Sequence, residues 1–131
     1  MKTTPEELKA KLDAHKLWLK TLGSDKPEGE RLDLTRASLT YADLTYADLT
    51  GADLTGANLD YSAWPLWCGS LKVKIDKRLA AQLMYHAMRA MQSCKDDASV
   101  AAVLASPECV ALANQFHRVN ECGRLEVLAN D

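Results

Sequence analysis

The residues of this 131-residue chain best equipped for chemistry are His15, His86 and His117, Cys68, Cys94, Cys109 and Cys122, and a regular series of aspartates. Acid–base or nucleophilic catalysis needs a base within hydrogen-bond reach of its partner. His86 and His117 fall on different predicted helices, and neither has a Ser or Cys beside it in a nucleophile motif. His15 sits on a predicted apolar helix stripe, where a partly buried histidine is the commoner reading and a ligand the rarer one. Cys94, Cys109, Cys122, His86 and His117 are not spaced two to four residues apart as zinc ligands are. No CxxC pair occurs, so buried free thiols in an intracellular, cytoplasmic protein are expected rather than a disulfide framework. No glycine-rich loop follows a strand pattern, so no nucleotide is expected. The expectation is a protein that is not an enzyme, with no catalytic residue, cofactor or metal.

The aspartates differ, because their spacing is periodic. From Leu32 to Trp64 the chain reads LDLTR, ASLTY, ADLTY, ADLTG, ADLTG, ANLDY, SAWPL. Leucine recurs at Leu34, Leu39, Leu44, Leu49, Leu54 and Leu59, with Ala two places before it in most blocks. Five residues match neither the 3.6 period of a helix nor the 2 of a strand. Such a short fixed repeat signals units that bury an apolar face only by stacking.

This stretch resembles the pentapeptide-repeat family, whose motif is A-(D/N)-L-x-x. The resemblance implies an α+β fold around a short right-handed quadrilateral β-helix, with Leu and Ala inward and four blocks per coil. Residues twenty apart then stack, placing Leu34 over Leu54, Tyr41 over Tyr61, Ser38 over Asn58 and Asp33 over Asp53, a like-charge pair. Seven blocks make under two coils, a rise of about 10 Å, too little core to stand alone. Both flanks are therefore expected to cap it. Trp64 stands where a leucine belongs and Pro65 cannot donate to a further ladder, so the solenoid is expected to end there, plugged by the indole.

The expected layout is a capping helix and linker at 1–27, the β-helix at 28–66, and a helical bundle at 67–131 packed on it as one integrated unit. Thr4-Pro5-Glu6-Glu7 has the form of a helix start, and Leu8, Leu12, His15, Leu19 and Leu22 follow as an apolar stripe before Gly23. Downstream, Asp76 is a plausible cap for a helix at 77–93 with Met84, Met88 and Met91 as core filler. A short helix near 97–104, a last one from Pro107 to Gly123, and a tail over 124–131 complete the reading. The block WCGSLKVKID–RLAAQLMYH is similar to a segment that follows pentapeptide repeats in some small phage and bacterial proteins.

Charge is unevenly placed. Residues 28–64 hold Glu28, Glu30, Asp33, Asp43, Asp48, Asp53 and Asp60 against Arg31 and Arg36, a balance of −5 within a chain at −2 overall. No apolar run approaches the length of a membrane span. Two functions follow. In one, these seven acids, with Tyr41, Tyr46 and Tyr61 as aromatic anchors, imitate DNA and occupy the site of a nucleic-acid-binding protein. The resemblance supports this, since some family members inhibit DNA gyrase in that way. A rod a third of one ~34 Å DNA turn suits a compact basic channel better, such as that of a CRISPR surveillance complex blocked by a phage anti-CRISPR protein. In the other, the chain is a generic protein-interaction or scaffold module. Either way the partner is a protein, neither nucleic acid nor membrane is bound directly, and helices at both ends favour a monomer.

Overall fold

A turn in every five residues shapes the first part of the chain. The N–H of Ala37, Ala42, Ala47, Ala52, Ala57 and Ser62 each donates to the carbonyl of the leucine three residues earlier, at 2.9–3.1 Å. The third turn position has positive φ at Arg36 (60°), Tyr41 (65°), Gly51 (75°), Gly56 (75°) and Tyr61 (63°), as a type II turn requires. Tyr46 is the exception among these corners. The six leucines are buried, none more than 5% exposed, and each contributes about 1.5–3 kcal/mol by leaving water.

The computed structural model describes residues 2–129, in two compact units that divide between Asp76 and Lys77. It corrects the expected α+β architecture. Among the described residues there is no β-strand and no sheet, hence no β-helix solenoid, and the regular secondary structure is helical. What pairs the blocks is a set of isolated parallel bridges, Asp33 with Asp53, Ser38 with Asn58 and Asp43 with Ala63. The reason lies in the period. A four-residue turn inside each five-residue block leaves one extended residue, so no bridge has a neighbour with which to form a ladder.

The pairing also runs past Pro65, contrary to expectation. Leu49, Gly51 and Leu54 donate to the carbonyls of Gly69, Lys72 and Lys74 at 2.7, 2.7 and 2.9 Å, and Lys74 donates back to Ala52 at 2.8 Å. The bridge is now between Asp53 and Lys74, one residue out of the earlier spacing after the short 3-10 turn Cys68–Ser70. Pro65 does not interrupt this because the donors come from the preceding blocks. Its own position is that of the Thr in D-L-T, whose N–H bonds the Asp two before it, and that Asp is here Ala63. Trp64 is half-buried and Pro65 fully so, so the indole is no plug.

Helix α1, Pro5–Thr21, starts as its sequence predicts, with the Glu7 N–H bonded to the Thr4 hydroxyl at 3.1 Å. Thr3 donates to the Ser38 carbonyl and Lys2 bridges Ser38, so the residues before α1 pair with the repeat. The return from α1 is tight. Glu30 donates to the Ala14 carbonyl at 3.2 Å, and a Cβ on Gly29 would come within 2.2 Å of that oxygen. His15 is completely buried, and its Nδ1 accepts the Leu32 N–H at 2.9 Å. The imidazole therefore serves the first turn of the repeat, and it stacks on Trp18 at 5.6 Å.

In the second unit α2 (Lys77–Met91), α3 (Ala98–Leu104), α4 (Pro107–Ala113) and α5 (Val119–Cys122) enclose a core of Tyr85, Met88, Leu104, Val110, Phe116 and Leu125. Asp97 caps α3 and Ser106 caps α4 through its side chain. The single helix expected from Pro107 to Gly123 is broken between α4 and α5. Asn114 turns its side chain to the backbone of Leu125, donating at 2.9 Å and accepting at 2.8 Å, while Phe116 swings into the core at 3% exposure. Leu128 docks the tail on the Leu104 carbonyl at 2.9 Å, and Val127 is exposed. The expected tail's Asn130 and Asp131 lie outside the described residues.

The buried His15 has a testable consequence. Burial lowers its pKa below the usual 6.5, and Arg31 acts in the same direction; the Thr50 carbonyl and the Asp48 charge oppose them. A lowered folded pKa means that this stability is fully present above 6.5 and is lost as pH falls through the folded value. The protection of the Leu32 amide, measured against its intrinsic exchange rate at each pH, should therefore fall on acidification from pH 7 to pH 5. His15→Leu should remove that pH dependence and, by orphaning the Leu32 N–H, cost about 1–3 kcal/mol in denaturant unfolding.

Candidate interaction surface

The repeated Asp has a structural task that accounts for the D-L-T pattern. Its Oδ1 accepts the N–H of the residue two places on, at 3.0 Å in Asp33–Thr35, 3.0 Å in Asp43–Thr45, 3.0 Å in Asp48–Thr50 and 2.9 Å in Asp53–Thr55. Asn58 does the same for Asp60 at 3.0 Å. In Asp33, Asp43 and Asp48 the threonine hydroxyl donates to the same oxygen. These are Asx turns, which fix the entry into each corner. At Asp33, Asp43 and Asp53 they also favour the charged carboxylate. The Thr35 and Thr45 hydroxyls first, then their N–H groups, hold Asp33 and Asp43 below the ordinary carboxylate range. For Asp53 the Thr55 hydroxyl favours the charged form without the geometry of a full hydrogen bond, and its N–H adds to that.

The seven acids named from the sequence do not form one uniform face. Glu28, Glu30, Asp33 and Asp43 are exposed, Asp48 and Asp53 are half-buried, and Asp60 is buried at 9%. Asp60 was expected to face a partner but is buried, although it occupies the Thr site of its block, which is exposed at Thr35 and Thr45. Asp33 and Asp53 lie together through their bridge, and the Asp53 charge opposes the ionisation of Asp33. Lys74 stands 3.8 Å from Asp53 and eases that pair. Asp43 and Asp48 instead line a cleft of about 440 Å³ with Tyr46, Trp67, Asp13 and Lys16.

The tyrosines divide likewise. Tyr41 and Tyr61 stack at 5.0 Å with planes 7° apart, and the Lys2 ammonium lies 5.4 Å above the Tyr41 ring. Tyr46 stands apart, 93% exposed, and joins Trp64, Leu66 and Trp67 around an adjoining apolar hollow of about 480 Å³. Leu66 is 92% exposed and Trp67 46%. Sequence reasoning passed over Leu66 and Trp67, although W-P-L-W right after the last full block was the available signal.

The residues considered for catalysis or metal binding do not converge. His86 and His117 both pack edge-on against Phe116. Cys68, Cys94 and Cys122 are exposed free thiols and Cys109 is half-buried, which corrects the expectation that they are buried. The hydrophilic ends of short helices, rather than the core, carry three of the four. Among the described residues no three His, Cys, Asp or Glu side chains are placed to hold a metal ion. No helix among them is long and apolar enough to cross a membrane.

Residues 33–62 match the family described as Pentapeptide repeats (8 copies). No curated protein and no solved structure is significantly similar to the chain.

The Asx turns make two predictions. Asp48→Ala, which removes the acceptor for both the Thr50 N–H and its hydroxyl, should cost about 1–2 kcal/mol of stability, whereas Asp48→Asn keeps the acceptor and should cost far less in the same thermal melts. Because the folded pKa values of Asp33, Asp43 and Asp53 are lowered, their contribution is fully present above the ordinary Asp value of 3.8 and falls away as pH drops through the lowered values. A triple Asp→Asn variant at these positions should show a flatter acid-unfolding profile below pH ~4.

Proposed function

We propose that this chain, a pentapeptide-repeat protein by its residues 33–62, is a non-enzymatic inhibitor that binds a DNA-binding complex through the acidic surface of its repeat. The coarse part of this reading, a protein-interaction module, comes with the family. The finer part rests on one observation. Asp33, Asp43 and Asp53 are held in the same Asx geometry at a fixed register, each kept ionised by its threonine.

A flexible acidic segment would lose side-chain entropy on meeting a basic channel. Carboxylates already oriented by the backbone lose less, which favours them as stand-ins for phosphates against Lys and Arg. Each uses Oδ1 for its turn, and Oδ2 takes no part in that bond. The surface is short, so a compact channel suits it better than the long DNA cleft of a gyrase. A surveillance complex of the CRISPR kind is the favoured target, met in a phage setting. The partner is a protein, and the chain acts as a monomer that binds neither DNA nor membrane.

The test is a pull-down from the host cell with and without competing duplex DNA, followed by salt titration of the captured complex. Affinity should fall by about tenfold or more between 50 and 200 mM salt if several acids replace phosphates, and DNA should compete. Asp43→Asn, Asp48→Asn and Asp53→Asn together should keep the fold, since Asn Oδ1 can accept the same bonds, and abolish inhibition. Full inhibition by that triple variant would overturn the reading.

A further inference from the structure

We propose that the cleft between Tyr46 and Trp67 receives an arginine side chain of a protein partner, stacked against the rings and paired with Asp43 and Asp48. This rests on the reading of the chain as a protein-binding module and names the chemistry that the module captures.

The cleft is an open site with two aromatic rings, Tyr46 and Trp67, beside charged side chains. Tyr46 is 93% exposed, whereas Tyr41 and Tyr61, at the same position of their own blocks, stack on each other. Its backbone also lacks the positive φ found at the other corners. Trp67 is fixed in place. Its indole N–H donates to the Ala47 carbonyl at 3.1 Å, and the ring lies over Gly69, where a Cβ would come within 2.3 Å of it. A ring held this way offers its surface without further loss of rotamer entropy.

The charge of the cleft selects the occupant. Asp43 and Asp48 both line it, and each carboxylate is oriented by a threonine through Oδ1. Among the described residues neither makes an ion pair with a lysine or arginine, whereas Asp13, on the same wall, is paired with Lys9 at 2.9 Å. Lys16 is the one cation of the lining. An aromatic wall next to two oriented carboxylates fits a planar cation. A guanidinium stacks its face on the rings while its edge donates to carboxylate oxygens, and an ammonium cannot do both as well.

The experiment titrates the isotope-labelled full chain with three Gly/Ser peptides that differ only in carrying arginine, lysine or the neutral isostere citrulline. The arginine peptide should shift the Trp67 indole N–H and Tyr46 amide signals saturably, the lysine peptide should bind more weakly, and citrulline should not bind. Tyr46→Ala should weaken the arginine peptide by about fivefold, and Asp43→Asn with Asp48→Asn should abolish its binding while the remaining signals stay in place. Equal binding of arginine and lysine that survives Tyr46→Ala, or shifts centred on Asp33 and Asp53, would overturn the proposal. Asp33→Asn with Asp53→Asn lies outside the cleft and separates the two readings. If that pair weakens the captured host partner while Tyr46→Ala does not, the cleft falls and the acidic-surface inhibitor stands. If Tyr46→Ala weakens it and the outer pair does not, the extended DNA-like surface falls and the cleft stands.

Discussion

The bond from an Asp or Asn Oδ1 to the N–H two residues on is the interaction around which the repeat is built. It occurs at Asp33, Asp43, Asp48, Asp53 and Asn58, and it assigns each position of the block its residue. The acceptor must be short and polar, the next residue points inward and is leucine, and the donor is a threonine whose hydroxyl can reinforce the bond. The corner after it has positive φ, which glycine meets at Gly51 and Gly56 without cost. Arg36, Tyr41 and Tyr61 adopt it against their preference, and the Tyr41–Tyr61 stack offsets part of that strain.

Much of this was legible in the sequence, and the part that was not has a physical reason. Leucine at a constant spacing marks the buried position whatever the backbone does between leucines, and all six are inside. The β-helix was inferred from the same period, yet the period itself forbids strands, because four of five residues go into the turn. The Asp series read as surface charge since its charge is what composition records; the hydrogen bond it makes depends on a partner two residues away. Asp60 shows the cost of counting charges alone. It sits where other blocks place threonine, and it is buried.

Local signals also failed where a distant contact decided the outcome. Nothing near Asn114 breaks a helix, and no Gly or Pro lies between α4 and α5 before Gly123. The break comes from Leu125, whose N–H and carbonyl take both ends of the Asn114 amide. The end of the repeat is similar. Pro65 reads as a stop because it lacks an N–H, but Ala63 lacks the acceptor that this N–H would have met. Two irregularities in one block cancel, and pairing continues to Lys74.

Where a pattern is obeyed, the residue is explained by the fold, and function is more visible where it is broken without need. The aspartates obey the pattern, so their presence alone argues for turns as strongly as for a partner, and only their retained charge argues for both. Tyr46, Leu66 and Trp67 are different. Tyr46 leaves the positive-φ corner series, Leu66 projects an apolar side chain into solvent, and Trp67 spends a hydrogen bond and a glycine to hold its ring in place. None of the three is needed for the six leucines to be buried. They stand beside Asp43 and Asp48, two carboxylates that form no ion pair among the described residues, and that juxtaposition of rings and charge is what the proposed arginine site rests on.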